Sequence, residues 1–503
     1  MNERLLRVAL GVALAALVVA GATPRLVGAQ THAPGTAPTP LPSTTPAPAI
    51  TLPPASEPTS LPYPAYGTPV PGVNSGVPAA NVPPVVTLDQ SIAIGYAQSP
   101  ALAAARASLG ISKGALDLAG TPLFPNITGT ASTEHSRDQN AAIAAETGIV
   151  GGGAGSMSFV SNNLQAQLTQ LIYDGGKVAA NVRAARATLH STADTYRREL
   201  QTVAFNVATA YYNDLAAQRA TAIAVQVVQV DLVNESLVSA QIKVGTEAAA
   251  DLATAQLQTA EGRLAVVKAQ SAEISAHAAF ANAMGLDANT LVLPKDDTPV
   301  NGAPVTSTIV APSYDVAIKR ALLMRPDVSA GQYTIDSTQA SLRAAKLGLF
   351  PTLAGNASYG TASSNATGGD FRNSDNIGAT LSVPIYDQGI THAQVESARG
   401  QLDLAIANQN TTIEGVQLNV KQTLTSLVSA RQALSEADVE LANAQVVLAS
   451  TQAQYRAGVT TLPLLLNAQE GFAQALTDQS TAVYSLRQAE QAFLFAEGTN
   501  ANS

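Results

Sequence analysis

A mainly α-helical chain with a membrane β-barrel part, built from two copies of one unit, is the fold class this sequence predicts. Two long stretches, Gly176 to Lys243 and Gly389 to Arg456, contain no proline. Each follows segments in which apolar and polar residues alternate, and residue pairs recur at two fixed distances along the chain. Of the 503 residues 46% are hydrophobic but only 4% aromatic. Alanine therefore supplies much of the apolar surface, which suits long helices in close contact better than an aromatic-rich core.

The N-terminus reads as an export signal. Arg4 and Arg7 precede an apolar run from Val8 to Ala20, and Val27-Gly28-Ala29 before Gln30 has the small residues of a cleavage site, so residues 1–29 are assigned to a signal peptide. The run is short for a membrane span. Residues 30–85 follow, with more than half of the chain's 28 prolines and Glu57 as the only charge between Pro34 and Pro84. Such a segment buries too little apolar surface to offset its ordering entropy, so it reads as a disordered, partly polyproline spacer.

Beyond it lies the duplication. Pro100 and Phe124-Pro125 recur at an offset of 226 as Pro326 and Phe350-Pro351. Tyr173-Asp174, Gly176, Arg186, Gly245 and Gln256 recur at an offset of 213 as Tyr386-Asp387, Gly389, Arg399, Gly458 and Gln469. The one change of offset falls between Pro125 and Tyr173, where Gly151 to Gly155 make a natural surface loop. This places one repeat at residues 86–290, a linker at 291–312, a second repeat at 313–498 and a tail at 499–503.

Within a repeat the elements follow in order. Leu88 to Leu118 has helical character, with Pro100 marking a break or a helix start. Next come alternating runs: Ile127, Gly129 and Ala131 outgoing with Leu164, Ala166 and Leu168 returning, and in the second copy Leu353, Ala357 and Tyr359 outgoing with Ile377, Ala379, Leu381, Val383 and Ile385 returning. Period two means strands, here two of about 10 to 12 residues per copy, the dimensions of a transmembrane β-hairpin. The proline-free stretches then predict helices of about 100 Å at 1.5 Å per residue. The second carries Leu402, Ile406, Ile413, Val416, Val420, Leu424, Leu427, Leu434, Leu441 and Leu448 at spacings dominated by three, four and seven. After Gly458 the stripe resumes at Leu462, Leu465, Phe472, Leu476, Val483, Leu486 and Phe493, so each repeat ends in a helical hairpin with one arm about twice the other.

Four membrane strands cannot close a barrel, and open edges are not tolerated in lipid, so the chain must oligomerise. Two copies would supply eight strands and three would supply twelve, between which length does not choose. Narrow apolar stripes on helices otherwise faced with Gln, Asn, Thr and Ser suit walls around a wet lumen.

Other chemistry is excluded by what the chain lacks. It has no Cys, hence no disulfide, zinc-cysteine site or thiol catalysis. A net charge of -9 with scattered Lys and Arg argues against a nucleic-acid partner. None of His32, His135, His190, His277 and His392 has a second ligand at a recognised metal spacing, and Gly151 to Gly155 lacks the Gly-Lys-Ser/Thr ending of a phosphate loop. No enzyme activity, metal or cofactor is expected.

The ordered set Leu88-x-x-Ser91-Ile92, Phe-Pro before a strand, Tyr173-Asp174-Gly175-Gly176 and Tyr386-Asp387-Gln388-Gly389 opening the long helices, and Tyr455-Arg456-Ala457-Gly458 at the tip resembles the TolC-type outer-membrane efflux family over about residues 86 to 498. The resemblance implies a homotrimer with a 12-stranded β-barrel in the outer membrane lipid and a 12-helix α-barrel through the periplasm. Such a channel passively conducts what an inner-membrane pump and a periplasmic adaptor deliver, in drug efflux or type I secretion. It also implies adaptor docking at the tips, Lys243, Val244, Gly245, Thr246 and Arg456, Ala457, Gly458, Val459, and strand-to-helix joints at Tyr173, Asp174, Gly176 and Tyr386, Asp387, Gly389. The family often places carboxylates just past each tip glycine to line a periplasmic constriction. Asp251 fits that pattern, whereas Leu464 and Asn467 stand at the second-repeat positions and Thr460 replaces the usual basic tie. The constriction is therefore expected to close by Leu462, Leu464 and Leu465, with Asp251 and Glu247 giving modest cation preference. A non-conducting, envelope-spanning coiled-coil tether is the competing reading; the alternating hairpins speak against it, since a tether needs no barrel.

Overall fold

The computed structural model describes residues 83–138, 157–243, 248–296, 309–364 and 370–500, all within the unit Gly72–Ser503. The signal and proline-rich segments, the Gly151 to Gly155 loop and the first tip, Val244 to Glu247, lie outside the described residues.

The first repeat runs β1 (Val85–Val86), α1 (Leu88–Gln98), α2 (Pro100–Gly120), β2 (Asn126–Asp138), β3 (Met157–Tyr173), α3 (Lys177–Lys243) and α4 (Ala249–Ala283). After β4 (Leu293–Pro294) the second repeat gives α5 (Tyr314–Met324), α6 (Pro326–Lys346), β5 (Thr352–Ser364), β6 (Arg372–Ser382), α7 (Ile390–Arg456) and α8 (Leu462–Glu497). The duplication carries through to the elements. Helices α1 and α5 are both 11 residues, α2 and α6 both 21, and α3 and α7 both 67. The strands have 13, 17, 13 and 11 residues, so three exceed the expected length.

Local chemistry sets these boundaries. Thr87 caps α1 through a capping box: its hydroxyl accepts from Gln90 N at 3.3 Å while Gln90 Oε1 accepts from Thr87 N at 3.0 Å. Pro100 and Pro326 sit at the first position of α2 and α6, where the missing N–H is not needed, and hold Ser99 and Arg325 extended; both prolines are helix starts. Helices α4, α7 and α8 all end on a left-handed glycine, Gly285, Gly458 or Gly498. In each the following residue reaches back, as Leu286 N does to Ala281 O at 3.0 Å, in a Schellman motif.

Two equivalent cores pin each long helix to its repeat. Val203, Val207 and Phe280 anchor the first, with Leu102, Tyr211 and Met284. Their counterparts Val416, Val420 and Phe493 anchor the second, with Ala317, Leu427 and Leu434. The predicted stripe of α7 is thus buried through its middle, while Ile406 stays exposed. The opening of the predicted linker belongs to the first core instead: β4 pairs in parallel with β1, Val292 is buried, and Tyr211 Oη donates to Lys295 O at 2.5 Å. Residues 297–308, with Pro299 and Pro304, lie outside the described residues.

Candidate functional site

Strands β2, β3, β5 and β6 form one antiparallel sheet in that order, with Ala166 opposite Gly129 on one side and Tyr359 on the other. Adjacent pairs come from hairpins, and β3 against β5 joins the two repeats. Among the described residues β2 and β6 each keep one unpaired edge. Four strands with two open edges are a segment of a larger sheet.

The joints below the sheet are built alike. Asp174 Oδ1 accepts from Gly176 N at 2.8 Å and its Oδ2 from Val178 N; Asp387 Oδ1 accepts from Gly389 N at 3.1 Å and its Oδ2 from Thr391 N at 2.7 Å. Each carboxylate thus takes the orphan amides of a helix start. Hydrogen bonds from the Thr391 side chain and amide, with the Gly389 amide, hold the Asp387 carboxyl below the usual carboxylate range. The reversal from strand to helix needs left-handed backbone: Gly175 at φ 72° and Gly176 at φ 93°, answered by Gln388 at φ 58° and Gly389 at φ 84°. Tyr173 and Tyr386 stay exposed beside these turns.

At the opposite ends of the long helices, Lys243, Arg456, Ala457, Gly458 and Val459 are all exposed. Gly458, at φ 69°, has its capping bonds made by Gly458 N to Tyr455 O and Val459 N to Gln454 O. Behind this turn Val238, Ala255, Tyr455, Leu462, Leu465 and Leu466 form a small core. Leu462 and Leu465, expected at the constriction, are about 2–3% exposed within their own chain, and their side chains pack in this core between the two hairpins. Leu464 and Asn467 are exposed. Asp251 lies in the first turn of α4, where Oδ2 accepts from Ala248 N at 3.3 Å. Glu247 and the tip residues Val244, Gly245 and Thr246 are outside the described residues.

An ionic clasp, not foreseen from sequence, fastens the end of α8 to the start of α6. Arg325 is 2.6 Å from Asp327 and donates to Asn419 Oδ1 and Ala496 O, both at 3.3 Å. Arg198 of α3 donates to Phe495 O at 3.1 Å, and its guanidinium lies over the Phe495 ring. Burial opposes ionisation of Asp327, but the Arg325 and Arg198 guanidiniums outweigh it and hold the carboxyl below its usual range. Burial and Arg325 lower Arg198 to about 10. Besides Asp194, which pairs with Arg197, α3 buries two carboxylates, Asp214 and Asp231. Their places in the duplication were readable as a signal, because the equivalent residues of the second repeat are Leu427 and Ala444.

Among the described residues no cluster of three or more His, Asp or Glu could hold a metal. A stretch of α3 is apolar enough by composition to cross a bilayer, but α3 packs against α1, α2, α4, α6 and α8.

A profile of the outer membrane efflux protein family matches residues 96–286 and 317–499. The outer membrane efflux protein BepC of Brucella suis is 24% identical over 414 residues, covering 80% of this chain and 84% of that protein. The pyoverdine export outer membrane protein OpmQ of Pseudomonas putida is 23% identical over 82% of this chain and 85% of its own length. The crystal structure of the Campylobacter jejuni CmeC outer membrane channel superposes with a TM-score of 0.69 at 17% identity, covering 82% of this chain and 86% of that one.

Proposed function

With the chain a member of the outer membrane efflux protein family, an outer-membrane channel of tripartite efflux systems with its helices in the periplasm, we propose that it works as a homotrimer. Its sheet would close as a 12-stranded barrel over a 12-helix tunnel, through which substrate passes without catalysis. The observation that carries this reading is the four-stranded sheet with unpaired β2 and β6 edges. In hydrocarbon each unpaired amide or carbonyl costs several kcal/mol, roughly, so the edge of β2 has to meet β6 of another copy. The helices support the same association. Leu257, Leu264, Val267 and Ile274 form an exposed stripe at heptad spacing on α4, and Leu404, Leu418, Val439 and Val446 form another on α7.

Because the chain has no native Cys, disulfide trapping reads this association directly. Thr130→Cys on β2 combined with single cysteines between Asn373 and Thr380 on β6 gives covalent trimers at one register after oxidation. A ladder continuing past three, or a protein monomeric and soluble without detergent, overturns the reading.

Substrate would arrive from an inner-membrane pump through a periplasmic adaptor, which would dock around Lys243 to Thr246 and Arg456 to Val459. The periplasmic constriction in this reading is carried by Asp251 and Glu247 with Leu464 and Asn467. One carboxylate ring from three copies of Asp251 repels itself and attracts cations. Asp251→Ala is expected to weaken divalent-cation block of single-channel conductance about threefold or more; unchanged block removes Asp251 from the constriction.

A further inference from the structure

Asp231 is on α3, about three turns before the tip, and is 4% exposed. Its Oδ2 has no hydrogen-bond partner. The carboxylate lies over Gly262 of α4, where an added Cβ would come within 2.8 Å of Oδ2 and 3.0 Å of Val228 Cγ2. In the second hairpin the equivalent positions are Ala444 of α7 and the fully buried Ala475 of α8, neither of them charged, and α7 still packs along α8. Packing α3 on α4 therefore does not require a carboxylate.

The surroundings connect this residue to both hairpins. One turn along α3, Asn234 Nδ2 donates to Gln469 Oε1 of α8 at 2.5 Å, and Gln469 Nε2 returns a bond at 3.3 Å. Nearer the tip Tyr455 Oη of α7 donates to Gln241 Oε1 at 2.9 Å. Asp231 also lines a cavity of about 140 Å³ between the hairpins, with Gln258, Gln452, Gln469, Glu470 and Phe472. Most of the rest of the lining is apolar, with Ile223, Val227, Leu448 and Leu476, but the volume holds water and the Asp231, Gln258, Gln452, Gln469 and Glu470 side chains give it polar partners. The charged groups nearest this region are the exposed Glu261 and Arg263, which flank Gly262 on α4, the exposed Glu470 of α8, and Glu235 of α3, which accepts from the Thr259 hydroxyl at 3.0 Å. From α7 come only Leu448 and Gln452. None of these charged groups pairs with Asp231.

We propose that Asp231 is a proton-operated lock on the periplasmic end of the first hairpin. Neutral, it keeps α3 seated on Gly262 beside the Asn234–Gln469 clasp. Ionised, it draws water through the cavity, loosens α3 from α4 and eases the movement of the first hairpin against the second. The step from loosened hairpin to open conduit rests on the channel reading above.

Burial lifts the Asp231 carboxyl from 3.8 to about 6. The folded hairpin thus holds the proton more tightly than an open one. The seat is at full strength below the ordinary carboxylate value, weakens as pH rises, and has lost this contribution above about 6. Since each unit is tenfold, the local opening equilibrium should rise between about tenfold and a hundredfold from pH 4 to pH 7.

The test is hydrogen exchange on the full chain in detergent at pH 5 and pH 7.5, corrected for intrinsic exchange, beside bilayer conductance over the same range. In the wild type, protection of residues 223–238 and 255–266 is expected to fall tenfold or more at the higher pH, and conductance to rise with a midpoint near 6. Asp231→Asn should abolish both changes. Asp231→Ala, which copies the second repeat, should do the same should the Asn variant not fold. A pH response that persists in the variants, or its absence in the wild type, overturns the lock. A response in exchange without any conductance at any pH upholds the lock and overturns the channel reading instead. A response in exchange with pH-independent conductance overturns the coupling to opening.

Discussion

Asp214 of α3 and Leu427 of α7 occupy equivalent positions in the two repeats, and both are fully buried. Leu427 belongs to an apolar core with Val420 and Leu434. Asp214 instead has Oδ1 2.6 Å from His277 Nδ1 and accepts from Gln218 Nε2 at 3.3 Å, while His277 Nε2 is 3.5 Å from Glu273. Burial pushes the Asp214 carboxyl up, and its contacts with His277 and Gln218 only partly reverse this. Thus the first hairpin places Asp214, Asp231 and Glu273 where the second has Leu427, Ala444 and Leu486. Glu490, the counterpart of His277, is the exception, and it pairs with Arg487 of its own helix. The backbone plan is common to both, because helix length, joints and caps are set by residues the two share. The filling is not part of that plan. A core that stays helical with either content leaves the first hairpin free to respond to protons and the second free to act as a stiff reference.

Exchanging the fillings should break the comparison most visibly. Leu427→Asp puts an unpaired carboxylate into an apolar core and should cost about 3–5 kcal/mol, read as a fall in the thermal midpoint of the detergent-extracted protein. The reverse change, Asp214→Leu made together with His277→Leu so that neither partner is left alone, should keep stability within about 1 kcal/mol of wild type or raise it, since a buried polar pair offsets little more than its own desolvation. Equal losses from the two would mean that the hairpins do not share a plan.

The clasp gives the next effect. Arg325→Ala removes a buried guanidinium that satisfies Asp327, Asn419 and Ala496, and should cost about 2–3 kcal/mol. Ser99→Ala at the equivalent place in the first repeat should cost under about 1 kcal/mol. The two carboxylates Asp327 and Asp231 also respond to pH in opposite senses. Asp327 is held below its ordinary value, so its contribution is present above about 4 and is lost as pH falls through the lowered folded value. Acidification therefore weakens the clasp while seating Asp231, and urea titrations at pH 3.5, 5 and 7 should separate the two.

The joints sharpen the comparison at smaller scale. Gly175→Ala would bring a Cβ to 2.6 Å from Phe350 Cβ at positive φ, and should cost about 2 kcal/mol. Gln388→Gly at the matching joint relieves a left-handed non-glycine residue and should stabilise by several tenths of a kcal/mol up to about 1. Thermal melts of the two variants in the same detergent should move in opposite directions.

The order of strands and long helices was legible in the sequence, Pro100 read as a break or a helix start, and Tyr173-Asp174 and Tyr386-Asp387 read as joints. Each is a local event: a missing amide, a positive φ, a period of two or of three and four. These depend on the residue and its few neighbours, so a linear reading suffices. The constriction was not legible in the same way. An apolar stripe states that a face seeks cover, but not whether the chain's own second hairpin supplies it, as for Leu462 and Leu465, or whether the stripe stays exposed in the single chain, as at Leu257 and Leu404.

By itself, then, the sequence determined the helix-and-strand plan, because backbone hydrogen bonding and side-chain period act over short spans. Only the tertiary structure decided that Asp231 and Asp214 are buried on α3, that Arg325 reaches Ala496, and that the tip leucines join hairpins. Those facts depend on which helix faces meet between segments far apart in the chain, and two-body burial of that kind leaves no mark on the spacing of residues along one helix.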